Sequence, residues 1–168
     1  MTLPEARFGH CMVLLNNDTV LITGGTGEIG PISVATKTCW LFQPKNGNFS
    51  ECKNMSETRT LHSCSLFKGK VYIVGGEGDS SEIFDPELNS WNDDGPRFPN
   101  NRQGKKGTMM VFQDDLFFRE DGRGIFKLKD SQTWSTGESI TESTGNNVFP
   151  LTKLVFSKYS TDHACNIS

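Results

Sequence analysis

Three glycines have the spacing of a phosphate-binding turn. Gly24, Gly27 and Gly30 stand three residues apart, directly after an apolar segment. Glycines in this arrangement can admit a pyrophosphate to the N-terminus of a following helix. Residues 31–40, however, are rich in β-branched side chains and lack the i, i+3, i+4 apolar pattern of a helix. The sequence predicts no helix at this place, so a nucleotide-cofactor site is only an alternative interpretation.

The histidines and cysteines do not have the spacing of a metal site. The chain has 3 His and 2 Tyr, which leaves few ligands for a copper site that needs both residue types. His62 and Cys64 share a strand face because they are two residues apart. Two ligands do not close a zinc site. We therefore expect no metal and no cofactor.

The cysteine pattern bears on the compartment of the protein. The 5 cysteines are an odd number and include no Cys-x-x-Cys pair, which favours reduced thiols and a cytoplasmic location. Cys39 and Cys52 face each other if a hairpin turn is centred between residues 45 and 46, and a disulfide there would need oxidising surroundings. Four Asn-x-Ser/Thr sequons also favour an extracellular location, which is the alternative: Asn17, Asn48, Asn54 and Asn166.

Composition and charge exclude several classes of protein. Hydrophobic residues make up 35% of the 168 residues, which is enough for a core, and 20 acidic residues outnumber 17 basic ones. This balance is unlike that of a dedicated nucleic-acid binder. No apolar run approaches the length of about 18 residues that a membrane span needs. Neither nucleic acid nor a membrane is an expected partner.

The elements that must position these residues repeat along the chain. Arg7 precedes His10 by three residues, and Arg59 precedes His62 by three. After each His come a short apolar segment, a polar turn and a second apolar segment that ends in two glycines. Short apolar segments bounded by Gly, Asn and Asp are typical of β-strands. The glycine pairs are Gly24 with Gly25 and Gly75 with Gly76.

Each repeat ends in a pair of aromatic residues. The third copy is weaker than the first two, since Arg119 and Glu120 stand where its glycine pair is expected. Its aromatic residues are eight positions apart instead of seven. The three pairs are Phe42 with Phe49, Phe84 with Trp91, and Phe126 with Trp134.

The repeat length predicts the fold class. Four short antiparallel strands in a unit of about 45 residues form one blade of a β-propeller. We predict an all-β chain with repeats at 4–55, 56–96 and 97–140, the third degenerate, and a partial fourth repeat or polar tail at 141–168. About 3.7 such units fit into 168 residues. We therefore expect an incomplete propeller that self-associates through its open blade edges.

The Arg-x-x-His start, the glycine pair and the aromatic tail together resemble the kelch repeat. The resemblance covers residues 4–140, most clearly in the first two copies. It implies a kelch-type β-propeller in which the glycine pair ends the second strand where blades crowd together. It also implies that His10 and His62 hold blade corners by local hydrogen bonds and that the paired aromatics fill the space between blades.

The resemblance implies a non-catalytic module that binds other proteins. In this family the loops after the second strand and between blades often take a partner peptide, and the opening Arg can clamp its carboxylates. The alternative for the arginines is a salt bridge that stitches blades together, because a guanidinium suits either role. Carried onto this chain, the partner-binding positions are Arg7, Arg59, Glu28, Glu77, Asp79 and Ser80.

Three further functions stay open. Kelch-like proteins often serve as substrate-recognition adaptors of ubiquitin ligases, a role that would apply if this chain is part of a longer protein. An extracellular adhesion propeller is the second. The third is an enzyme similar to the short-chain dehydrogenases, built on the glycine-rich segment 23–30.

Overall fold

Every regular element that the structure describes is a β-strand. The computed structural model describes residues 4–29, 31–76, 80–98, 106–121, 124–130 and 133–136. They form 15 strands in four antiparallel sheets, three of which have four strands. The predicted all-β fold with four-stranded blades is therefore confirmed. The predicted partial fourth repeat at 141–168 lies outside the described residues.

Blade 1 is the sheet of the first repeat, with strand order β2-β3-β6-β7. Along β2 the side chains alternate between partly buried and exposed, and Met12 and Leu14 are 60% and 56% exposed. This alternation shows that one face of the blade packs against a neighbour and that the other remains open to solvent. The strands are β2 (Cys11–Asn16), β3 (Thr19–Thr23), β6 (Cys39–Gln43) and β7 (Asn48–Glu51).

Blade 2 has neighbours on both faces. Val71 and Ile73 of its second strand face blade 1, whereas Tyr72 and Val74 face the third blade. Burial on both faces explains why this strand is apolar without alternation. The strand order is β11-β10-β9-β8, with β8 (Ser63–Phe67), β9 (Lys70–Val74), β10 (Ser81–Asp85) and β11 (Ser90–Asn92).

Blade 3 departs from the other two where the glycine pair is missing. Its second strand runs on through Arg119 and Glu120, because neither residue supplies the backbone turn that two glycines make. The strand order is β12-β13-β14-β15, with β12 (Gly107–Phe112), β13 (Asp115–Glu120), β14 (Gly124–Asp130) and β15 (Thr133–Thr136).

A small fourth sheet, here called the rim sheet, was not predicted from the sequence. It consists of β1 (Arg7–Phe8), β4 (Thr26–Ile29) and β5 (Ile32–Ala35), in the order β1-β4-β5. The β4–β5 hairpin is inserted between β3 and β6 of blade 1 and contains most of the glycine-rich segment. The residues after Gly25 are thus a hairpin, in agreement with the prediction that no helix starts there.

The blades pack side by side around their first strands. β8 lies against β2 on one side and against β12 on the other. The Ser63 hydroxyl accepts a hydrogen bond from the backbone N–H of Met109 at 2.8 Å, which ties β8 to β12. The core between blades 1 and 2 consists of Leu21, Cys39, Cys52, Met55, Val71, Ile73 and Phe84. The core between blades 2 and 3 consists of Phe67, Tyr72, Val74, Met109, Leu116, Phe118, Phe126, Leu128 and Trp134.

The aromatic pairs lie across the outer hairpins of the first two blades. The ring centroids of Phe42 and Phe49 are 4.6 Å apart. In blade 3, Trp134 stands opposite Leu128 rather than Phe126, and the strand pairing is irregular between Leu128 and Asp130. Phe98 stacks on Trp134 with centroids 5.4 Å apart. The corresponding pair in blade 2 is Phe84 with Trp91, at 4.8 Å.

The glycine pairs have positive φ and lie against the connection between blades. Gly24 has φ +56°, and a Cβ there would lie 2.4 Å from the carbonyl oxygen of Arg59. Gly76 has φ +88°, and its Cβ would lie 2.7 Å from the carbonyl oxygen of Thr60. Both positions therefore require glycine for conformation and for space.

Comparing two alanine variants separates these two requirements. Gly69 has φ +76° and nothing within 4 Å of its Cβ position, so Gly69→Ala should lose about 1–2 kcal/mol of unfolding free energy through strain alone. Gly24→Ala adds a collision with the backbone of Arg59 and should lose about 3–5 kcal/mol. Urea unfolding at 25 °C measures both losses. Equal losses would show that the close packing of the blades does not depend on Gly24.

Candidate functional site

Arg59 lies in the connection between blades 1 and 2 and is fully buried. Its Nε donates to Glu82 Oε1 at 2.9 Å, and its Nη1 donates to the carbonyl oxygen of Gly75 at 2.9 Å. Its Nη2 donates to Ser80 Oγ at 2.6 Å and to Glu57 Oε2 at 3.3 Å. Each nitrogen of the guanidinium thus has a partner within blade 2 or its connection, which is the arrangement that a buried Arg requires.

The backbone of Arg59 holds the other blade. Its carbonyl oxygen accepts a hydrogen bond from Gly25 N at 2.7 Å, and its N–H donates to Thr36 O at 3.1 Å. Both partners belong to the first repeat. Arg59 therefore joins blade 1 through its main chain to blade 2 through its side chain.

Arg7 makes the same contact within the first repeat. Its Nη1 donates to the carbonyl oxygen of Gly24 at 3.1 Å, and its Nη2 pairs with Glu5. The side chain of Arg7 is 1% exposed. In both repeats the Arg binds the carbonyl of the first glycine in its own glycine pair. Both guanidinium groups are thus occupied by contacts within their own repeat.

Among the predicted partner-binding residues that the structure describes, Arg59 and Ser80 are in direct contact. Ser80 accepts from Arg59 and donates to Glu57 Oε2 at 3.0 Å, so it belongs to the buried arginine network. Glu28 is exposed in β4 of the rim sheet, opposite Ser33. Glu77 and Asp79 lie outside the described residues.

His62 connects the two blades by a side-chain hydrogen bond. Its Nε2 is 2.8 Å from Thr23 Oγ1, the residue that precedes the glycine pair of blade 1. Burial, and secondarily the charges of Arg59 and His10, lower the pKa of His62 from 6.5 to about 4. The imidazole is therefore neutral at physiological pH. The Arg59 side chain thus forms its hydrogen bonds within its own repeat, whereas His62 forms a hydrogen bond with the preceding repeat.

A cleft of about 350 Å³ opens beside the histidines, where the connections between blades meet. It is lined by residues 9–10, 61–62 and 106–107 together with Asp121. Lys106 and Asp121 are exposed and supply both signs of charge, and Asp121 N donates to Lys106 O at 3.0 Å. Leu61, the large apolar side chain at the cleft, is 51% exposed.

Leu61 has a backbone conformation that a leucine rarely adopts. Its φ is +56°, close to the +65° of Gly9, which occupies the same position in the first repeat. The Leu61 N–H donates to the carbonyl oxygen of Gly9 at 2.7 Å. A bulky residue at positive φ costs on the order of 1–3 kcal/mol. Sequence analysis missed Leu61, although an alignment of the two repeats places it opposite Gly9.

The cysteines differ from the expectation of fully reduced thiols. Cys11 and Cys64 form a disulfide with Cα atoms 6.1 Å apart. They stand in β2 and β8, the first strands of adjacent blades, and this contact between strands 53 residues apart was not visible in the sequence. Cys39 and Cys52 do face each other across the hairpin, with Cys52 N donating to Cys39 O at 3.2 Å, but both are free.

The environment of Cys39 disfavours its thiolate form. A hydrogen bond with Cys52 and burial hold the pKa of the Cys39 thiol above its usual range. A protonated, buried thiol is a poor nucleophile and a poor metal ligand. Within the described ranges, no three or more His, Cys, Asp or Glu side chains are grouped to hold a metal ion. Over the same part of the chain, no helix is long and apolar enough to cross a membrane.

Known proteins with the same repeats are similar to this chain over much of its length. Beta-scruin of Limulus polyphemus is 27% identical over 109 residues, which is 57% of this chain. Kelch-like protein 41b of Danio rerio is 26% identical over 133 residues, or 76% of the chain, and kelch-like protein 40 of Mus musculus is 30% identical over 94 residues, or 53%. The chain is similar to kelch-repeat proteins. The resemblance predicted from its sequence is confirmed.

These kelch relatives are much longer than the present chain. The matched segments span 11%, 21% and 14% of beta-scruin, kelch-like protein 41b and kelch-like protein 40. No family model matches the chain. The similarity to these proteins therefore covers a few repeats and only a small part of their length.

Removing the negative charge beside Arg59 tests how much the buried pair contributes. Glu82→Gln leaves the guanidinium buried without its fully buried carboxylate, and we expect a loss of about 3–5 kcal/mol in the free energy of unfolding. Glu57→Gln is the matched control, because the Glu57 side chain is 44% exposed, and it should lose less than about 1 kcal/mol. Urea unfolding at pH 7 measures both. Equal losses would contradict a central role for the Arg59–Glu82 pair.

The lowered pKa of His62 predicts a loss of stability in mild acid. Between pH 6.5 and about 4 the unfolded chain binds a proton at His62 that the folded chain does not bind. This stability is fully present above pH 6.5 and is lost as the pH falls, by about 2 kcal/mol between pH 7 and pH 5. His62→Gln removes the titrating group and should flatten this part of the profile. The same slope in both proteins would contradict the prediction.

Proposed function

We propose that this chain is a non-catalytic protein-binding module that holds a peptide or loop of another protein at the cleft beside Leu61. Loops fixed on a rigid β-scaffold are where recognition residues concentrate. The kelch repeats supply such a scaffold, and the buried contacts of Arg7 and Arg59 fix the loops that line the cleft.

The strained, exposed Leu61 is the observation that carries this proposal. Gly9 shows that the position can be filled by a residue without strain. Strain at one residue persists when the surroundings enforce it, and it concentrates at sites of function. We infer that the half-exposed Leu61 side chain is retained at this cost because it contacts a partner.

Leu61 is an exposed apolar side chain beside a cleft with polar groups at its rim. An apolar anchor next to a cleft and a rim of polar groups is the common pattern in protein interfaces. Lys106 and Asp121 provide the polar rim here. Because the two charges have opposite sign, we infer a partner segment with an apolar anchor residue rather than a strongly charged one.

The role of ubiquitin-ligase adaptor is a finer form of the same proposal. An F-box/kelch-repeat protein of Arabidopsis thaliana is 26% identical to this chain over 98 residues, and its name combines kelch repeats with a second kind of domain. In that role the cleft would take the substrate protein, and a longer chain would supply the contact with the ligase.

The compartment stays a prediction with two alternatives. The cytoplasm was favoured on the assumption of reduced thiols, whereas the Cys11–Cys64 disulfide favours oxidising, extracellular surroundings. The sequon residues Asn17, Asn48 and Asn54 are exposed. A diagonal gel of protein taken directly from its cells, with and without reductant, distinguishes the two.

Exchanging Leu61 for glycine tests the binding proposal. Peptides selected from a random displayed library on the wild-type chain serve as the probe. Leu61→Gly should weaken their binding at least tenfold, since loss of an apolar anchor typically costs more than 1 kcal/mol. The same variant should unfold at an equal or higher urea concentration, because glycine relieves the strain at φ +56°.

A second variant controls for nonspecific apolar contacts. Leu88 is 74% exposed in the turn between β10 and β11, and Leu88→Ser should leave peptide binding unchanged. Peptides that bind Leu61→Gly as tightly as the wild type would overturn the proposed site. Peptides that lose affinity for Leu88→Ser instead would move the interface to the opposite end of blade 2.

A further inference from the structure

The outer strand of the rim sheet is an apolar strand with an open edge. β5 pairs with β4 on one side, and no other described strand lies along its second side. Ile32 and Val34 are 61% and 41% exposed. An uncovered apolar edge strand is unusual, because its free N–H and C=O groups invite pairing with another strand.

The hydrogen-bond pattern of the hairpin shows which backbone groups are free. Thr36 N donates to Gly25 O at 2.9 Å, so these residues stand at a bonded position of the hairpin, although Gly25 N donates to Arg59 O instead. Antiparallel strands alternate bonded and non-bonded pairs. The bonded pairs are therefore Gly27 with Val34 and, next along, Ile29 with Ile32. The N–H and C=O of Ser33 and Ala35 consequently point away from β4, toward the open edge.

We propose that β5 pairs with β5 of a second copy of this chain, antiparallel and centred on Ser33. A two-fold axis perpendicular to the sheet requires opposite residues to share a face. Centring on Ser33 meets this condition and places its outward N–H and C=O against those of the second Ser33. In this register Ile32 stands opposite Val34 of the second copy, and Val34 stands opposite Ile32. The four exposed apolar side chains then cover one another on one face.

The composition and length of β5 favour a second copy as its occupant. The strand Ile32–Ala35 contains no charged residue. Pro31 precedes it and stands opposite Ala35 of the second copy in this register, where its carbonyl oxygen can accept from the Ala35 N–H although it has no N–H to donate. The pattern of β5 is complementary to itself in the register that its free backbone groups allow. The opposite edge of the rim sheet, β1, is two residues long, so the joined sheet would end there and form a closed dimer.

The dimer is expected to be weak. Four strand residues from each copy bury well below the 1,200 Å² or so that stable complexes need. We expect a dissociation constant on the order of 100 µM for the isolated chain. This surface differs from the open blade edges through which self-association is predicted from the repeat count.

Sedimentation velocity of the full chain tests the pairing. From about 5 to about 500 µM the wild type should change from monomer to dimer. Val34→Lys should weaken dimerisation at least tenfold, because it places an ammonium opposite each Ile32. Val111→Lys is the matched control, since Val111 is a strand valine that is 45% exposed in blade 3, and it should have no effect. Leu14→Lys, on the open face of blade 1, should have no effect either.

Cross-linking tests the register. Ser33→Cys should form an intermolecular disulfide under mild oxidation, because residue 33 stands opposite itself. Val34→Cys should cross-link to Ile32→Cys when the two are mixed, and much less to itself. A wild type that stays monomeric at 500 µM overturns the proposal in favour of an extended segment of a different protein. A dimer sensitive to Leu14→Lys but not to Val34→Lys overturns it in favour of the blade 1 face.

Discussion

The buried guanidinium of Arg59 is the constraint on which the arrangement of blades 1 and 2 depends. A fully buried cation is tolerated only when its donors are all paired and a negative charge is near. Glu82 and the carbonyl of Gly75 meet that requirement within the second repeat, while the Arg59 carbonyl oxygen accepts a hydrogen bond from Gly25 of the first repeat. The glycine pairs follow from the same constraint, since a side chain at Gly24 would displace the Arg59 main chain. The Arg, the backbone groups that it binds and the glycine pairs therefore form one connected set of contacts.

The sequence predicts those parts of the fold whose residue pattern repeats along the chain. Apolar segments, polar turns and the Gly24–Gly25 pair recur at constant spacing, and each pattern has a local physical cause. The rim sheet could not be predicted, because the pairing of β4 with β5 and β1 depends on where blade 1 places the chain. The Cys11–Cys64 bond is of the same kind, since it joins strands that meet only through the packing of blades.

The candidate site was harder to predict than the fold, for a reason that Arg59 illustrates. A guanidinium can bind a partner's carboxylate or a buried one, and the sequence does not show that Glu82 lies beside Arg59. Leu61 was overlooked because an isolated leucine carries no chemical signal. The strain at Leu61 is recognised by comparison with Gly9. The two residues have similar positive φ in the two repeats, and only the leucine is strained by it. Gly9 also follows directly after β1, so the cleft lies next to the rim sheet. A dimer through β5 would therefore present two clefts in one assembly, and it would bind a repeated target with higher avidity.

The disulfide between Cys11 and Cys64 has a consequence for the chain under tension. The two residues are 53 positions apart, and the segment between them contains most of blade 1 and the connection to blade 2. If the protein is pulled from its ends, this loop cannot contribute to extension while the bond is intact. About 180 Å of contour length is then withheld. A reductant would therefore change how far the molecule stretches as well as how stably it folds.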